Sequence, residues 1–231
     1  MLSLLAARAR KNHSLNYYNV VHADSPLGYW RLGETSGTTS VDSGSGGNAG
    51  TYVSCTLGAA SLIQNNAGNL AVNMNGTSSQ VTVGAVAALY GLSRNCSIEA
   101  WIKPSAVAST YGIWSAGLAG ICVRQNGTNL ELLSDYSASI HTFTANFVAN
   151  TIYHVVLTIN GSGACTAYVN GISIGTFTTT TNFTGAYVRI GADGRDSTTV
   201  SSFFSGILDE VAVYNTALTS TQVNSHYLAG T

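Results

Sequence analysis

The residues of this chain best suited to binding a metal ion are three acidic side chains in or near turn-forming sequence. Glu34 precedes and Asp42 lies within the Gly- and Ser-rich stretch 36–50, and Asp209 lies in a predicted strand. Calcium takes oxygen ligands from carboxylates, amides and backbone carbonyls, and Gly-rich loops can supply the carbonyls. These residues predict a calcium site at a rim of the fold, which Ca²⁺ would stabilise against melting relative to EDTA. The alternative is that Glu34 and Asp42 cap turns and Asp209 accepts hydrogen bonds from nearby amides.

A second set of side chains has the chemistry of a sugar-binding platform. Such a platform combines an aromatic ring with amides and hydroxyls that exchange hydrogen bonds with the sugar. Suitable aromatic side chains lie in or near predicted loops, and we predict a carbohydrate site formed by Tyr111, Trp114, Tyr136 and His141. The alternative for each of them is packing in the core or at the rim.

Catalysis is not predicted from the acidic and nucleophilic residues. Glycosidases place two carboxylates across the sugar, about 5 to 10 Å apart. Asp209 and Glu210 are neighbours in a predicted strand, so their side chains should point to opposite faces. No serine lies in a G-x-S-x-G elbow. His154 is predicted to pack against a sheet, and we expect a protein that is not an enzyme.

The first residues of the chain form a basic, leucine-containing arm. Three of its basic residues follow a short apolar stretch instead of preceding it, which argues against a signal peptide. We predict that the arm attaches the chain to an acidic surface of a partner subunit. The alternative is a frayed terminus. The residues predicted for attachment are Leu4, Leu5, Arg8, Arg10 and Lys11.

Charge and composition narrow the classes of function. The formal net charge is −1 and only 8% of residues are charged, so no strong field draws the chain to nucleic acid or to anionic membranes. No apolar run approaches the roughly 18 residues that cross a bilayer. We therefore predict neither nucleic-acid binding nor membrane insertion. A surface rich in hydroxyls and amides suits extracellular, fibre or capsid surfaces.

Hydrophobic periodicity indicates a β protein from Leu27 onward. Apolar and polar residues alternate in short runs separated by Gly, Asn and Ser, which is typical of half-buried strands. Asn170-Gly171 predicts a tight hairpin turn. Thr219 and Gln222 predict a capping box that begins a C-terminal helix. The strands predicted most clearly are 96–103, 152–160, 164–170, 172–177, 186–191 and 206–214.

The four cysteines are widely spaced and form no CxxC pair, so a zinc site is not expected. Cys96 and Cys165 alternate with apolar residues in predicted strands. We predict that they are small core residues with free thiols, and the alternative is disulfide pairing.

Four segments in chain order resemble the laminin-G-like, concanavalin A-like jelly-roll family of bacteria and their phages. They are SPLGYWRLGETSG, SIEAWIKP, YHVVLTIN with AYVNGISIGTF, and FSGILDEVAVYNTALTSTQVNSHY. The resemblance implies an all-β fold, in which two antiparallel sheets form a jelly-roll sandwich over residues 24–231 with a short C-terminal helix. The sequence ahead of it, residues 1–23, is predicted to form the N-terminal arm. It implies interior positions for Trp30 and Trp101. It also supports the calcium prediction, because many members hold a structural Ca²⁺ at the rim.

This architecture hosts lectins, carbohydrate-binding modules, adhesion domains and glycosidases, so the fold does not settle function. Related glucanases carry a Glu-x-Asp-x-x-Glu strand that this sequence lacks. The arm ahead of YWRLGE resembles the opening of minor tail, fibre or decoration proteins of bacterial viruses. We therefore predict a non-catalytic virion structural protein, on capsid or tail, that contacts other virion proteins, forms a homo-oligomer and exposes its sandwich for adhesion or host-glycan binding. The alternatives are a carbohydrate-binding or adhesion module of a bacterial surface or secreted protein and, least favoured, a glycan hydrolase.

Overall fold

A computed structural model of the chain describes residues 16–64, 68–90, 92, 94–117, 119–135, 138–185, 187–194 and 198–231. The residues predicted for attachment, which all precede residue 16, lie outside the described residues, and so does Tyr136 of the predicted sugar platform. Strands dominate the described chain, as the period-2 pattern predicted. The helices are α1 (Tyr17–Ala23), α2 (Ala87–Tyr90) and α3 (Ser220–Gly230).

The strands are short and follow one another through turns rich in Gly, Asn and Ser. In chain order they are β1 (Gly28–Trp30), β2 (Thr39–Ser40), β3 (Gly50–Val53), β4 (Thr56–Ala60), β5 (Leu70–Asn75), β6 (Gln80–Gly84), β7 (Cys96–Pro104), β8 (Thr110–Ser115), β9 (Cys122–Asn126), β10 (Asn129–Asp135), β11 (Ala138–Phe143), β12 (Tyr153–Ile159), β13 (Ala164–Val169), β14 (Ile172–Thr178), β15 (Val188–Ile190), β16 (Asp193–Gly194), β17 (Val200–Ser201) and β18 (Ser205–Tyr214).

Two antiparallel sheets of eight strands pack face to face, which confirms the predicted sandwich. Sheet A has the order β14-β13-β12-β7-β18-β5-β4, with β1 paired to β18. Sheet B has the order β11-β10-β9-β8-β15-β6-β3-β2, and β16 and β17 form a separate two-stranded ribbon. Many neighbours follow one another along the chain, but others, such as β7 and β18 or β6 and β15, are distant in sequence. Those distant pairs bring together residues that local patterns cannot relate.

The main core lies between the two sheets and takes alternate residues from each strand. Trp30 and Trp114 are fully buried there, with ring centroids 5.8 Å apart. Val81 of β6 and Ile190 of β15 lie opposite each other and point into this core from sheet B. Fully burying an aliphatic side chain stabilises the fold by about 1.5 to 3 kcal/mol. The interior position predicted for Trp30 is confirmed.

A second core lies on the outer face of sheet A, under α1 and α3. Tyr17 and Val21 of α1 and Val223 of α3 are buried against Trp101 of β7. Gly230 ends α3 against the Trp101 ring, and a Cβ at that glycine would lie 2.3 Å from the ring. Helix α1 therefore belongs to the sandwich, because its buried side chains fix it to sheet A. The predicted arm, residues 1–23, includes α1, and the boundary between arm and sandwich stays a prediction.

Local signals located several elements accurately. The predicted strands agree with β7, β12, β13, β14 and β18 to within a residue at each end, whereas β15 is shorter than the predicted 186–191. Asn170 and Gly171 have φ of 52° and 75°, the left-handed values that a tight hairpin turn requires. The capping box is confirmed, since the Gln222 N–H donates to Thr219 Oγ1 at 3.3 Å and the Thr219 N–H donates to Gln222 Oε1 at 2.9 Å.

All four cysteines carry free thiols, and Cys96, Cys122 and Cys165 are buried. This confirms the interpretation of Cys96 and Cys165 as small core residues. Within the described part of the chain, no helix is long and apolar enough to span a bilayer.

Candidate functional site

Asp42, a predicted calcium ligand, organises the loop that follows β1. Its carboxylate accepts hydrogen bonds from the backbone N–H groups of Tyr29 at 2.7 Å, Gly44 at 2.7 Å and Asn48 at 2.6 Å. Three donors on one carboxylate fix the path of the loop along β1. These are the turn-capping contacts that the sequence offered as the alternative to calcium.

Glu34 is also engaged by protein donors. It accepts a hydrogen bond from the Val41 N–H at 2.9 Å and from the Tyr52 hydroxyl at 2.6 Å. Among the described residues, no group of three or more His, Cys, Asp or Glu side chains could hold a metal ion. Protein N–H and O–H donors thus face the carboxylate oxygens of Glu34 and Asp42, and calcium binding by Glu34, Asp42 and Asp209 stays a prediction.

Asp209 is fully buried on the outer side of sheet A. It accepts hydrogen bonds from the Ser61 hydroxyl and the Leu62 N–H, both at 2.8 Å, and from the Asn69 amide at 3.4 Å. Burial, together with the negative charge of Glu210, raises the pKa of Asp209 to about 8. The side chain therefore holds a proton more tightly here than in water.

Asp209 and Glu210 do not point to opposite faces, which corrects the sequence prediction. A β-bulge shifts the pairing of β18 with β7 after Asp209, and Glu210 takes a left-handed φ of 51°. Both carboxylates consequently join one cluster, in which Arg31 donates to Glu210 at 3.0 Å and to the Asn69 amide oxygen at 2.7 Å. Tyr29 also donates its hydroxyl to Glu210. The cluster is a tightly bonded buried anchor between β1 and β18.

The predicted sugar platform is not assembled by the fold. Trp114 is fully buried in the core between the sheets. Tyr111 is half-buried and packs edge-on against Phe204, with ring centroids 6.2 Å apart. His141 is half-buried on β11, an edge strand of sheet B, and stacks on Phe177 with ring centroids 4.4 Å apart. Core and rim packing, the stated alternative, describes all three.

A buried charged network lies beneath the two helices on sheet A. Its centre is Glu99 of β7, which is fully buried. It accepts hydrogen bonds from the hydroxyls of Tyr17 and Tyr214, both at 2.8 Å, from His154 Nε2 at 2.7 Å and from His226 Nδ1 at 2.9 Å. His154 is therefore packed against the sheet, as predicted. A carboxylate with this many donors satisfies its oxygens although water is excluded.

His226 connects the network to α1. Its Nε2 lies 2.9 Å from Asp24, which follows α1, while its Nδ1 bonds Glu99. Both ring nitrogens thus face carboxylates, so both carry protons and the ring is an imidazolium. Burial alone would lower the pKa of His226, but the charge of Glu99 and the bonds to both carboxylates raise it to about 9. Burial would raise the pKa of Glu99, yet His226 and His154 hold it well below its usual range.

The outer face of sheet B has a different character, because a row of hydroxyl side chains crosses it. Thr39 lies opposite Thr51 on the next strand, and Thr51 lies opposite Thr82 on its other side. Thr82 in turn lies opposite Arg189, and Arg189 opposite Ser115. Paired residues share a face, so these side chains form one continuous line across five strands. Thr39 and Thr51 are exposed and Thr82 is half-buried. We call these three residues the threonine row.

One end of the threonine row meets a stacked aromatic and cationic pair. The Arg189 guanidinium lies 4.4 Å from the centroid of the half-exposed Tyr187 ring. The β16–β17 ribbon covers the other side of Arg189, since a Cβ at Gly194 would lie 2.6 Å from Arg189 Nη1. Ser115 Oγ also lies 3.2 Å from the Gly194 carbonyl oxygen, to which it donates. The ribbon therefore walls the threonine row at its Arg189 end.

Beyond this wall lies a mixed-charge cluster on β9 and β10. Arg124 donates to Glu131 at 2.6 Å and to Asp193 at 3.3 Å, and the Cys122 thiol donates to Asp193 at 2.9 Å. Burial, with Asp193 next to the thiol, raises the pKa of Cys122 well above its usual range. A protonated thiol of this kind is a poor nucleophile. The cluster anchors the ribbon to sheet B through Asp193.

Sequence reasoning missed the threonine row and the Glu99 network. Thr51 and Thr82 each lie next to core residues, so strand alternation alone places them outside. Nothing in the sequence indicates that β3, β6 and β15 are neighbours, because other strands separate them along the chain. Glu99 offered one signal, as a lone carboxylate in an otherwise apolar strand requires buried partners.

The family comparison agrees with this architecture. Residues 75–224 match the family model Laminin_G_3, described as the concanavalin A-like lectin/glucanases superfamily. The match covers more than half of the chain, so the chain belongs to this superfamily. Among curated protein sequences, the comparison found no match.

Solved structures with the same fold share little sequence with this chain. Domain 4 of AbnA, a GH43 extracellular arabinanase from Geobacillus stearothermophilus in complex with arabinotriose, is 19% identical with a TM-score of 0.61, covering 88% of this chain and 98% of that one. A Trypanosoma rangeli sialidase mutant displaying trans-sialidase activity is 17% identical with a TM-score of 0.65, covering 91% and 34%. The binding domain of botulinum neurotoxin serotype D is 14% identical with a TM-score of 0.62, covering 90% and 52%.

This chain therefore spans about a third of the sialidase and half of the toxin domain. At these identities the likeness shows the fold, and the activities of the larger proteins are not transferred with it.

Proposed function

We propose that this chain is a non-catalytic carbohydrate-binding domain whose binding surface is the outer face of sheet B. The observation that carries the proposal is the threonine row ending at the Tyr187–Arg189 pair. Hydroxyls can donate and accept hydrogen bonds, as sugars do, and an aromatic ring offers an apolar face for stacking. The arabinotriose complex of the arabinanase domain supports a glycan ligand for this fold.

The carboxylates of the described residues support binding over hydrolysis. A glycosidase pair must leave one carboxyl free to protonate the leaving group and another free to attack or to activate water. Here the acidic side chains accept hydrogen bonds from protein donors. The residues concerned are Asp24, Glu34, Asp42, Glu99, Glu131, Asp193, Asp209 and Glu210. Release of reducing ends from a bound glycan would contradict this part of the proposal.

A glycan array followed by titration tests the binding surface. We expect the wild-type chain to bind neutral glycans, and the double variant Thr51→Val/Thr82→Val to lose about tenfold or more in affinity, since each hydroxyl hydrogen bond contributes about 1 kcal/mol. Valine keeps the branched shape that suits a strand. Thr56→Val, on exposed β4 of sheet A, is the matched control. Equal losses in both variants, or no glycan bound, would overturn the proposal.

We further propose that the domain is displayed on a bacteriophage virion, on capsid or tail, where the basic N-terminal arm attaches it. The three cations in the first eleven residues and the absence of any acidic residue in 1–15 support attachment to an acidic partner surface. Light scattering and electron microscopy of the full chain and of a truncation lacking residues 1–15 test this. The truncation ends before α1, because Tyr17 and Val21 are buried in the sandwich. Attachment to capsids or tails without the arm would contradict the proposal.

The alternative setting is a bacterial surface or secreted protein, in which sugar recognition is the main role. Binding to a host glycan with no attachment to any virion particle would favour this setting.

A further inference from the structure

The helices on sheet A enclose a groove that the glycan-binding proposal does not use. It has a volume of about 410 Å³ and lies between α1 and α3. Its lining includes Val20 and Ala23 of α1, Gln222 and Ser225 of α3, and Asp24. Ala23 is exposed and Val20 is half-buried, so the apolar part of the groove faces solvent. A groove between two helices that is apolar with a few polar groups suits an amphipathic segment.

The charge of the groove comes from the network beneath it. Asp24 lines the groove with its side chain 21% exposed, and it is paired with His226, which in turn pairs with Glu99. Among the described residues that line the groove, Asp24 is the charged one, and its carboxylate is acidic. The groove thus combines apolar walls with a weak attraction for cations.

We propose that the groove receives the N-terminal arm, residues 1–15, of a second copy of this chain. The arm joins apolar Leu2, Leu4 and Leu5 to basic Arg8, Arg10 and Lys11, which complement the apolar wall and the negative floor. The arm leads into α1 at Asn16, whose backbone is extended. The Asn16 side chain caps the helix by accepting a hydrogen bond from the Tyr18 N–H. The arm therefore joins the chain at the first turn of α1, the helix whose residues Val20 and Ala23 line the groove.

The length of the arm permits an exchange between copies. Fifteen extended residues reach up to about 50 Å. Two copies that exchange arms fill both grooves and shield both leucine clusters from water. The inference deepens the attachment role proposed for the arm, and it concerns the isolated chain, so it is tested without glycans or virions.

Light scattering of four purified chains tests the exchange. We expect the full chain to be a dimer or larger, and both the 1–15 truncation and Ala23→Arg to be monomers, because arginine fills the groove and repels the basic arm. Val148→Arg adds the same charge at a loop position that is 59% exposed, and it should stay oligomeric. A monomeric full chain, or an Ala23→Arg chain as oligomeric as Val148→Arg, would overturn the inference.

Cross-linking of mixed variants separates exchange from folding of the arm onto its own groove. Chains with Leu4→Cys are mixed with chains carrying Ala23→Cys and treated with a short bismaleimide. We expect a covalent dimer that joins the two variants, and none when Ala23→Cys is replaced by Val148→Cys. Cross-links that form only within a chain carrying both Leu4→Cys and Ala23→Cys would show that the arm binds its own groove, which contradicts the exchange.

Discussion

The outer faces of the two sheets differ in what covers them: helices bury one face, and solvent reaches the other. Sheet A buries Glu99, His154 and His226 beneath α1 and α3, whereas sheet B leaves Thr39 and Thr51 open to solvent. A buried charge needs a complete set of partners, so the sheet A face is rigidly specified. Hydroxyls remain satisfied by water until a ligand replaces it, so the sheet B face is free to bind. Under the proposed function, structural and ligand-binding roles are thus divided between the two faces.

The largest expected effect comes from removing the charge at the centre of the sheet A network. Glu99→Gln replaces one acceptor oxygen with an amide that faces the O–H and N–H donors of Tyr214 and His226. We expect the free energy of unfolding to fall by about 3 to 5 kcal/mol, because a buried partner loses its counter-charge. Glu34→Gln is the comparison, because this half-buried carboxylate accepts hydrogen bonds from neutral donors only. We expect it to lower the free energy of unfolding by about 1 kcal/mol. Urea unfolding measures both, and equal losses would show that the network does not hold sheet A.

A pH titration of stability should show the same network. The folded-state pKa of His226 is about 9, above its ordinary value of about 6.5. Its stabilisation is therefore complete below about pH 6.5 and is lost as pH rises to about 9, by about 3 kcal/mol. The raised pKa of Asp209 acts in the same direction, because ionisation of that buried carboxyl is less favourable in the folded state.

Urea midpoints from pH 6 to 9.5 measure this loss. His226→Gln should flatten the pH dependence, while His22→Gln, on an exposed histidine of α1, should leave it unchanged. A wild-type chain whose stability does not change over this range would contradict a charged His226.

The contact between the β16–β17 ribbon and sheet B can be tested by a single methyl group. Gly194→Ala would place a Cβ 2.6 Å from Arg189 Nη1. We expect a loss of about 1 to 3 kcal/mol as the ribbon shifts, together with weaker glycan binding at Tyr187. Gly161→Ala is the matched control, because a Cβ there meets nothing within 4 Å. If both alanines behave alike, the ribbon does not shape the site.

The smallest expected effect concerns the aromatic ring at the end of the threonine row. Tyr187→Ala removes the ring that stacks on Arg189 and should weaken glycan binding about three- to tenfold, with a change in unfolding free energy of about 1 kcal/mol or less. Tyr227→Ala, which removes a half-buried ring of α3 that stacks on Trp101 of sheet A, should leave glycan affinity unchanged. Calorimetric titration with the glycan selected on the array measures both, and an unchanged affinity for Tyr187→Ala would move the site away from this ring.

Elements governed by neighbouring residues were predictable from the sequence. Asn170-Gly171 closes its hairpin because these residues tolerate left-handed backbone, and Thr219 begins α3 because its side chain reaches the Gln222 N–H. Both depend on atoms a few residues apart. The same local reasoning failed at Asp209 and Glu210, where the bulge depends on how β18 pairs with β7.

The sequence by itself determined the β-sandwich class, the family and the positions of most strands, since alternation and turn chemistry repeat along the chain. Only the tertiary structure decided which polar residues meet. Glu99 and His226 are 127 residues apart and bond across sheet A, and Thr51 and Thr82 become neighbours only through the pairing of β3 with β6. The physical reason is that periodicity fixes the face on which a side chain lies, whereas strand order, set by burial of the whole core, fixes its neighbours.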